Sequence, residues 1–267
     1  MTPSVATSSA LRMVVGLHGI SLLVKNESRI LALKSWQITG NEPSFQALEP
    51  EMRRVFGSER LFDLQFETKS CALSLSNSTL VPSRLFDPEN LGQYFQLLLR
   101  VDAEQSYGFE KLDKIDCYLV WVADKGLTNL CGQYFSTQNI RHTAAPLILE
   151  YQNLAPAEGY AVFANLCNQK VQIAVFERQN LVFFNAFNFG KPSDLLYYVL
   201  LAYKQFDLNP LDIPLTLSGT LLEDSEIFRL LLRYIRPMRF PPLPAGFQLP
   251  SEAKTLPAHY WFDLTLI

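Results

Sequence analysis

A chain of 267 residues that is 48% apolar has the length for one large or two smaller domains and enough hydrophobic content for a full core, which excludes a disordered chain. The net charge of −3 provides no broad basic surface, so neither nucleic acid nor an anionic membrane is expected as a partner. Four cysteines with no C-x-x-C pair read as small buried residues in a reduced compartment rather than a disulfide scaffold.

The polar start, Met1 to Ala10, lacks the basic residues and apolar run of a signal peptide. The densest apolar segment, Leu195 to Tyr203, falls short of the ~20 residues of a membrane helix. No membrane insertion is expected, and the chain reads as cytoplasmic.

In chain order, Leu11 to Val15, Ile20 to Lys25 and Arg29 to Ile38 read as three short strands. The turns between them are Gly16-Leu17-His18-Gly19 and Asn26-Glu27-Ser28, short connections of hairpin type. Phe45 to Val55 carries a weak helical pattern. Lys69 to Ser76 is a strand, and Thr79 to Pro82 is extended. Asp87-Pro88-Glu89 supplies a cap and a proline at the first helical position. A helix is therefore expected from there to Arg100, with Leu91, Phe95, Leu98 and Leu99 on one face. Ile115 to Ala123 is apolar except for Asp116 and suits a central strand covered on both faces. Leu127, Leu130, Cys131 and Tyr134 share the next helix face, and Asn139 to Leu149 reads as a strand with a turn at Pro146.

Ala155-Pro156-Ala157-Glu158-Gly159 has the composition of a linker, which places one lobe at 1–157 and another at 158–267. The second lobe opens with three strands, Tyr160 to Asn165, Lys170 to Phe176 and Leu181 to Phe189. A helix from Pro192 to Phe206 is apolar on every side and is expected to be buried all round, at the centre of the molecule. Ile213 to Leu217 is a strand. Thr220 and Glu223 have capping-box spacing before a helix over Glu223 to Tyr234. A short strand lies near Met238, and the apolar terminus His259 to Ile267 is expected to join a sheet as a strand.

Both halves thus read as three strands followed by alternating helices and strands. This duplicated plan resembles the actin-like ATPase fold. More narrowly, the chain from about Leu11 to Ile267 is identified as a member of a family of uncharacterised bacterial proteins with that fold. Phe183-Phe184-Asn185-Ala186-Phe187, Asp194-Leu195-Leu196-Tyr197-Tyr198-Val199-Leu200 and Leu215-Thr216-Leu217-Ser218-Gly219 carry the likeness. Thr79-Leu80-Val81-Pro82-Ser83-Arg84-Leu85-Phe86 and His259-Tyr260-Trp261-Phe262 add to it. The resemblance implies an α/β, duplicated, ribonuclease H-like architecture of two lobes, each with a mixed sheet flanked by helices. It also implies a nucleotide cleft between lobes, approached by an Asp-x-Gly turn from each.

In this chain the matching turns depart from that motif. Val15-Gly16-Leu17-His18-Gly19 keeps glycines without a carboxylate, and Asn165-Leu166-Cys167-Asn168-Gln169 has neither Asp nor Gly. Leu217-Ser218-Gly219-Thr220 keeps one glycine on the adenosine side. The cleft candidates are therefore Gly16, His18, Gly19, Asn165, Asn168, Ser218, Gly219 and Thr220. Mg²⁺ has no evident carboxylate anchor, so no cofactor and no ATP hydrolysis are expected. The favoured function is a non-catalytic scaffold that binds a protein partner on a degenerate nucleotide site. The alternative is an ATP-binding protein or weak ATPase with an atypical inter-lobe cleft. A third reading is an unrelated small-molecule enzyme in the same cleft.

Other motifs point to structure rather than chemistry. Gly190-Lys191-Pro192-Ser193 is not a P-loop, because Asn185 and Pro192 occupy positions that need glycine and Ser or Thr. His18, His142 and His259 share no metal-ligand spacing, and nothing local supports a Cys131–His142 nucleophile. Glu223, Asp224 and Glu226 read as the acidic start of a helix. Asn185 and Asn188 read as hydrogen-bonded amides. The proline-rich Arg236 to Pro250 reads as a surface wrap, with an exposed docking segment as its alternative.

Overall fold

The computed structural model describes residues 2–38, 44–97, 99, 103–244 and 246–267. It divides into two compact units: 1–143 with 246–250 and 267, and 144–245 with 251–266. The division thus falls between Thr143 and Ala144, ahead of the Ala155–Gly159 segment read as a linker, and the helix 144–154 belongs to the second unit.

The first unit begins with a short helix, α1 (Pro3–Ala6), and the strands β1 (Ala10–Gly16), β2 (Gly19–Asn26) and β3 (Arg29–Gln37). They form an antiparallel meander. Helix α2 (Phe45–Ser58) starts at Ser44, whose hydroxyl accepts from Ala47 N at 3.3 Å. β4 (Thr68–Ser74) runs parallel to β1, and β8 (Ile140–His142) parallel to β4, giving the order β3-β2-β1-β4-β8. A separate antiparallel sheet sets β7 (Cys117–Asp124) between β5 (Ser78–Pro82) and β6 (Gln105–Leu112). The apolar run at 117–123 is thus a central strand, as its composition suggested, but of this smaller sheet. Helix α3 (Lys125–Phe135) is capped by Asp124. Leu11, Met13, Val15, Leu22, Met52 and Leu127 are buried in the main core of this unit. Each such side chain contributes about 1.5–3 kcal/mol through loss of water contact.

The second unit repeats the sheet. Helix α4 (Ala144–Leu154) leads into β9 (Tyr160–Cys167), β10 (Lys170–Glu177) and β11 (Asn180–Asn188). Helix α5 (Pro192–Gln205), β12 (Leu215–Gly219), helix α6 (Glu226–Leu231), β13 (Met238–Arg239) and helix α7 (Phe262–Leu266) follow. The order β11-β10-β9-β12-β13 has the same plan: an antiparallel meander, then two strands parallel to its inner member. The duplicated mixed sheet flanked by helices is therefore present. One sheet face packs Val162, Ala164, Ile173, Val175 and Leu217 against Leu195 and Val199 of α5. On the other, Phe163 stacks with Tyr151 of α4 at 4.5 Å between ring centroids.

Several expectations are corrected. Residues 88–95 form a tight 3-10 turn rather than an α-helix, because Asn90 (φ −126°, ψ 36°) interrupts the helical run. Leu98 and Arg100 of that expected helix lie outside the described residues. Residues 144–149 are helical rather than extended. Ala144, Leu147, Ile148 and Tyr151 are buried at helical spacing, and Pro146 sits in the first turn, where its missing N–H costs no hydrogen bond. Helix α5 is not buried all round: Tyr197 is 61% exposed and Leu201 41%. Helix α6 is shorter than expected and starts from Ser225, whose hydroxyl accepts from Phe228 N, instead of a Thr220–Glu223 box. The C-terminal segment is not a strand. A 3-10 turn (Ala258–Trp261) runs into α7, which buries Phe262, Leu264 and Thr265.

Candidate functional site

In the first unit, Gly16 and Gly19 face each other across a two-residue turn of Leu17 and His18. Burial lowers the His18 pKa below the ordinary imidazole range, and the His18 carbonyl accepts from Ile38 N at 2.9 Å. Leu17 borders a cavity of about 450 Å³ lined also by Phe45, Leu75, Asn77, Val122 and Asp124. The Asp124 carboxylate is engaged as a cap, accepting from Gly126 N at 2.7 Å. Gly16, His18 and Gly19 therefore lie together in a turn whose Leu17 borders a hollow of mixed polar and apolar lining.

The parallel pairing of β12 with β9 places Ser218 beside Asn165 and Gly219 beside Leu166, so five expected residues gather in the second unit. Gly219 adopts φ +88°, and a Cβ there would collide with the Leu166 carbonyl oxygen, so only glycine fits. Thr220 N donates to that carbonyl at 2.7 Å. Asn168, at φ +56°, forms the turn between β9 and β10, and its N–H donates to Thr220 Oγ1 at 2.7 Å. In the wider fold, an amide of this turn would meet a phosphate oxygen. Here the chain's own hydroxyl occupies it. Neither turn offers a carboxylate, and among the described residues no three His, Cys, Asp or Glu side chains are grouped to hold a metal.

Behind the second turn, Asn165 and Ser218 belong to a buried polar row whose further members, Gln172, Lys170 and Asp263, sequence inspection missed. Ser218, Asn165 and Gln172 are neighbours across β12, β9 and β10, and none is exposed to solvent. Tyr151 Oη and Ser218 Oγ share a hydrogen bond of 2.7 Å, and Ser218 Oγ donates to Asn165 Oδ1 at 2.9 Å. Among the described residues, both amide atoms of Gln172 lack a partner; buried amides of this kind are sites for ordered water. Asp263 from α7 adds a carboxylate, whose pKa is raised by burial against opposing pulls from Leu264 N, Lys170 and the Asn165 amide. Lys170 is buried, and desolvation lowers its pKa to about 8. Burial likewise raises the Tyr151 phenol. A cation and a carboxylate held in one dry region offset each other's desolvation cost. Polar residues at alternating positions, Lys170 and Gln172, inside an otherwise apolar strand were the available signal.

The remaining candidates are structural. His142 Nε2 lies 3.1 Å from Leu75 O, and His259 Nε2 lies 3.0 Å from Leu221 O. None of the four cysteines forms a disulfide; Cys131 neighbours Cys71, whose thiol is held protonated by burial first and by that contact second. Glu226 occupies the first turn of α6. Asn185 Oδ1 accepts from Ala186 N at 2.8 Å. The proline-rich segment returns to the first unit: Gln248 N donates to Ser28 O, and Ile30 N to Gln248 O.

The profile of the family described as "Protein of unknown function (DUF3822)" matches residues 1–238, and the chain belongs to that family. Among solved structures it is similar to a Bacteroides thetaiotaomicron protein described as having an actin-like ATPase fold and unknown function. The identity is 18%, 90% of this chain and 93% of that one are covered, and the TM-score is 0.74. It is also similar to a chain of a PilM-PilN type IV pilus biogenesis complex, at 13% identity, 96% and 97% coverage and a TM-score of 0.59. These likenesses establish the actin-like ATPase fold. No curated protein matches the chain. Among the described residues no helix is long and apolar enough to cross a membrane.

Proposed function

We propose that this protein is a non-catalytic, cytoplasmic scaffold that uses an actin-like architecture to bind another protein. The observation that carries the reading is the closure of the second turn: Thr220 Oγ1 occupies the Asn168 N–H that a phosphate would need. The solved PilM-PilN complex, in which a chain of similar fold belongs to a pilus assembly, supports this use of the fold by analogy. Titration calorimetry with ATP and Mg²⁺ tests it. No heat at millimolar nucleotide is expected, and saturable binding would reject the reading. Release of Asn168 N–H in Thr220→Val should not by itself create binding, because neither turn itself carries a carboxylate to hold the metal.

A second reading, an ATP-binding protein or weak ATPase, is favoured by the glycines kept at Gly16, Gly19 and Gly219, although the room at Gly219 is taken by the Leu166 carbonyl. The same titration separates the two, since only this reading predicts heat.

A further inference from the structure

We propose that the polar row of the second unit is a carboxylate-binding site, which helix α7 keeps filled with its own Asp263 until an external carboxylate displaces it. The hydrogen bonds of the row run one way. Ser218 Oγ donates its single proton to Asn165 Oδ1 at 2.9 Å, so in the 2.7 Å contact with Tyr151 the phenol is the donor. With its oxygen engaged by Ser218, the Asn165 amide has only its Nδ2 donor to offer, and it acts on the Asp263 carboxylate. Leu264 N donates to Asp263 Oδ1 at 2.8 Å, and the Lys170 ammonium faces the same carboxylate. A relay that starts at a buried phenol thus ends on an anion, the partner that makes such hydrogen bonds strongest.

The sheet builds this site without help from α7. Asn165 stands opposite Gln172, Ser218 stands beside Asn165, and Lys170 is two residues before Gln172, so all four side chains share one face. None of the four is more than 4% exposed. Among the described residues neither amide atom of Gln172 has a partner, so the row holds donor and acceptor capacity that Asp263 does not use. Asp263 enters from outside the sheet. Phe262 stacks on Tyr151 at 6.1 Å between ring centroids and Leu264 is buried, whereas Asp263 alone of the row is half-buried. Solvent therefore reaches the carboxylate while the groups that hold it stay dry. With five residues α7 is too short to be a stable helix by itself, so its seat depends on these contacts, and releasing it costs little regular structure.

Asp263→Ala deletes the carboxylate and leaves room for formate, which has the same heavy atoms as the group removed. In the full chain with that substitution, sodium formate at tens of millimolar is expected to raise the thermal transition by about 3 °C more than sodium chloride at equal concentration. Adding Lys170→Met should abolish the difference, and inorganic phosphate, which is tetrahedral, should not reproduce it. In the wild-type chain the tethered carboxylate competes at high effective concentration. There, formate at hundreds of millimolar should hasten amide hydrogen exchange in α7 relative to chloride and leave α5 unchanged. Asp263→Asn keeps the shape without the charge and should speed exchange in α7 by about tenfold, which covers the case of an Asp263→Ala chain that fails to fold. Equal effects of formate and chloride on Asp263→Ala, a formate effect that survives Lys170→Met, or wild-type α7 exchange indifferent to formate would overturn the proposal. So would unchanged α7 exchange in Asp263→Asn, and rescue by phosphate would reject the carboxylate class.

Discussion

The two units share one strand order but fill it differently. Counting back from the hairpin turn, the row Ser218-Asn165-Gln172 of the second unit corresponds to Ala72-Val14-Ser21 of the first. The first unit has Ala72 and Val14 at its centre, with a half-buried hydroxyl at Ser21; the second holds a buried hydroxyl, two buried amides and a buried lysine, with the Asp263 carboxylate beside them. Their edges differ as well. β3 carries Arg29 and Lys34, pairs Lys34 with Glu59 at 2.6 Å and has its Ile30 N–H taken by Gln248, whereas β11 carries no charged residue. Topology is thus satisfied by either interior at two of the three positions, since Ala72 and Val14 stand where the second unit has Ser218 and Asn165.

Making the first unit resemble the second should have the largest effect. Val14→Asn buries an amide with no Tyr151 or Ser218 to receive it, and should cost about 4 kcal/mol in chemical denaturation. Gly219→Ala should cost about 3 kcal/mol by the same measurement, since the left-handed backbone and the Leu166 carbonyl both oppose a methyl group. Lys170→Met sharpens the comparison through pH. The unfolded lysine titrates near 10.5 and the folded one near 8, so between these values the unfolded chain holds the extra proton. Wild-type stability should therefore rise by about 3 kcal/mol relative to Lys170→Met as pH increases through that window, and the gap should be flat below it. The smallest effect is expected for Thr220→Val, about 1 kcal/mol, from loss of the Asn168 hydrogen bond. A Val14→Asn protein as stable as wild type would remove the contrast between the interiors altogether.

Much of the fold was legible because its signals are local. The six meander strands and their turns follow from short apolar runs broken by Gly16, Asn26 and Asn168. The family resemblance then supplied the two-lobed plan. The errors came where one residue was read without its position. Pro146 looked like a turn but opens α4, and the apolar residues of α5 were taken as wholly buried although Tyr197 and Leu201 face solvent. The C-terminal run looked like a strand because its apolar content is high, whereas Trp261, Phe262 and Thr265 have helical spacing. Asn165, Ser218 and Gly219 were found from sequence by their place in the motif. Asp263 was not, because 93 positions separate it from Lys170 and only the folded α7 brings them near.

The excursion of residues 246–250 to the first unit has a practical corollary. The chain leaves that unit at Thr143, completes most of the second, returns to supply Gln248 beside Ser28, and then goes back to finish the second. No single cut yields two intact pieces. A fragment ending at Thr143 would lose the strap along the start of β3, and one beginning at Ala144 would carry that strap with nothing to bind. Genetic dissection must therefore substitute residues within the whole polypeptide rather than sever it.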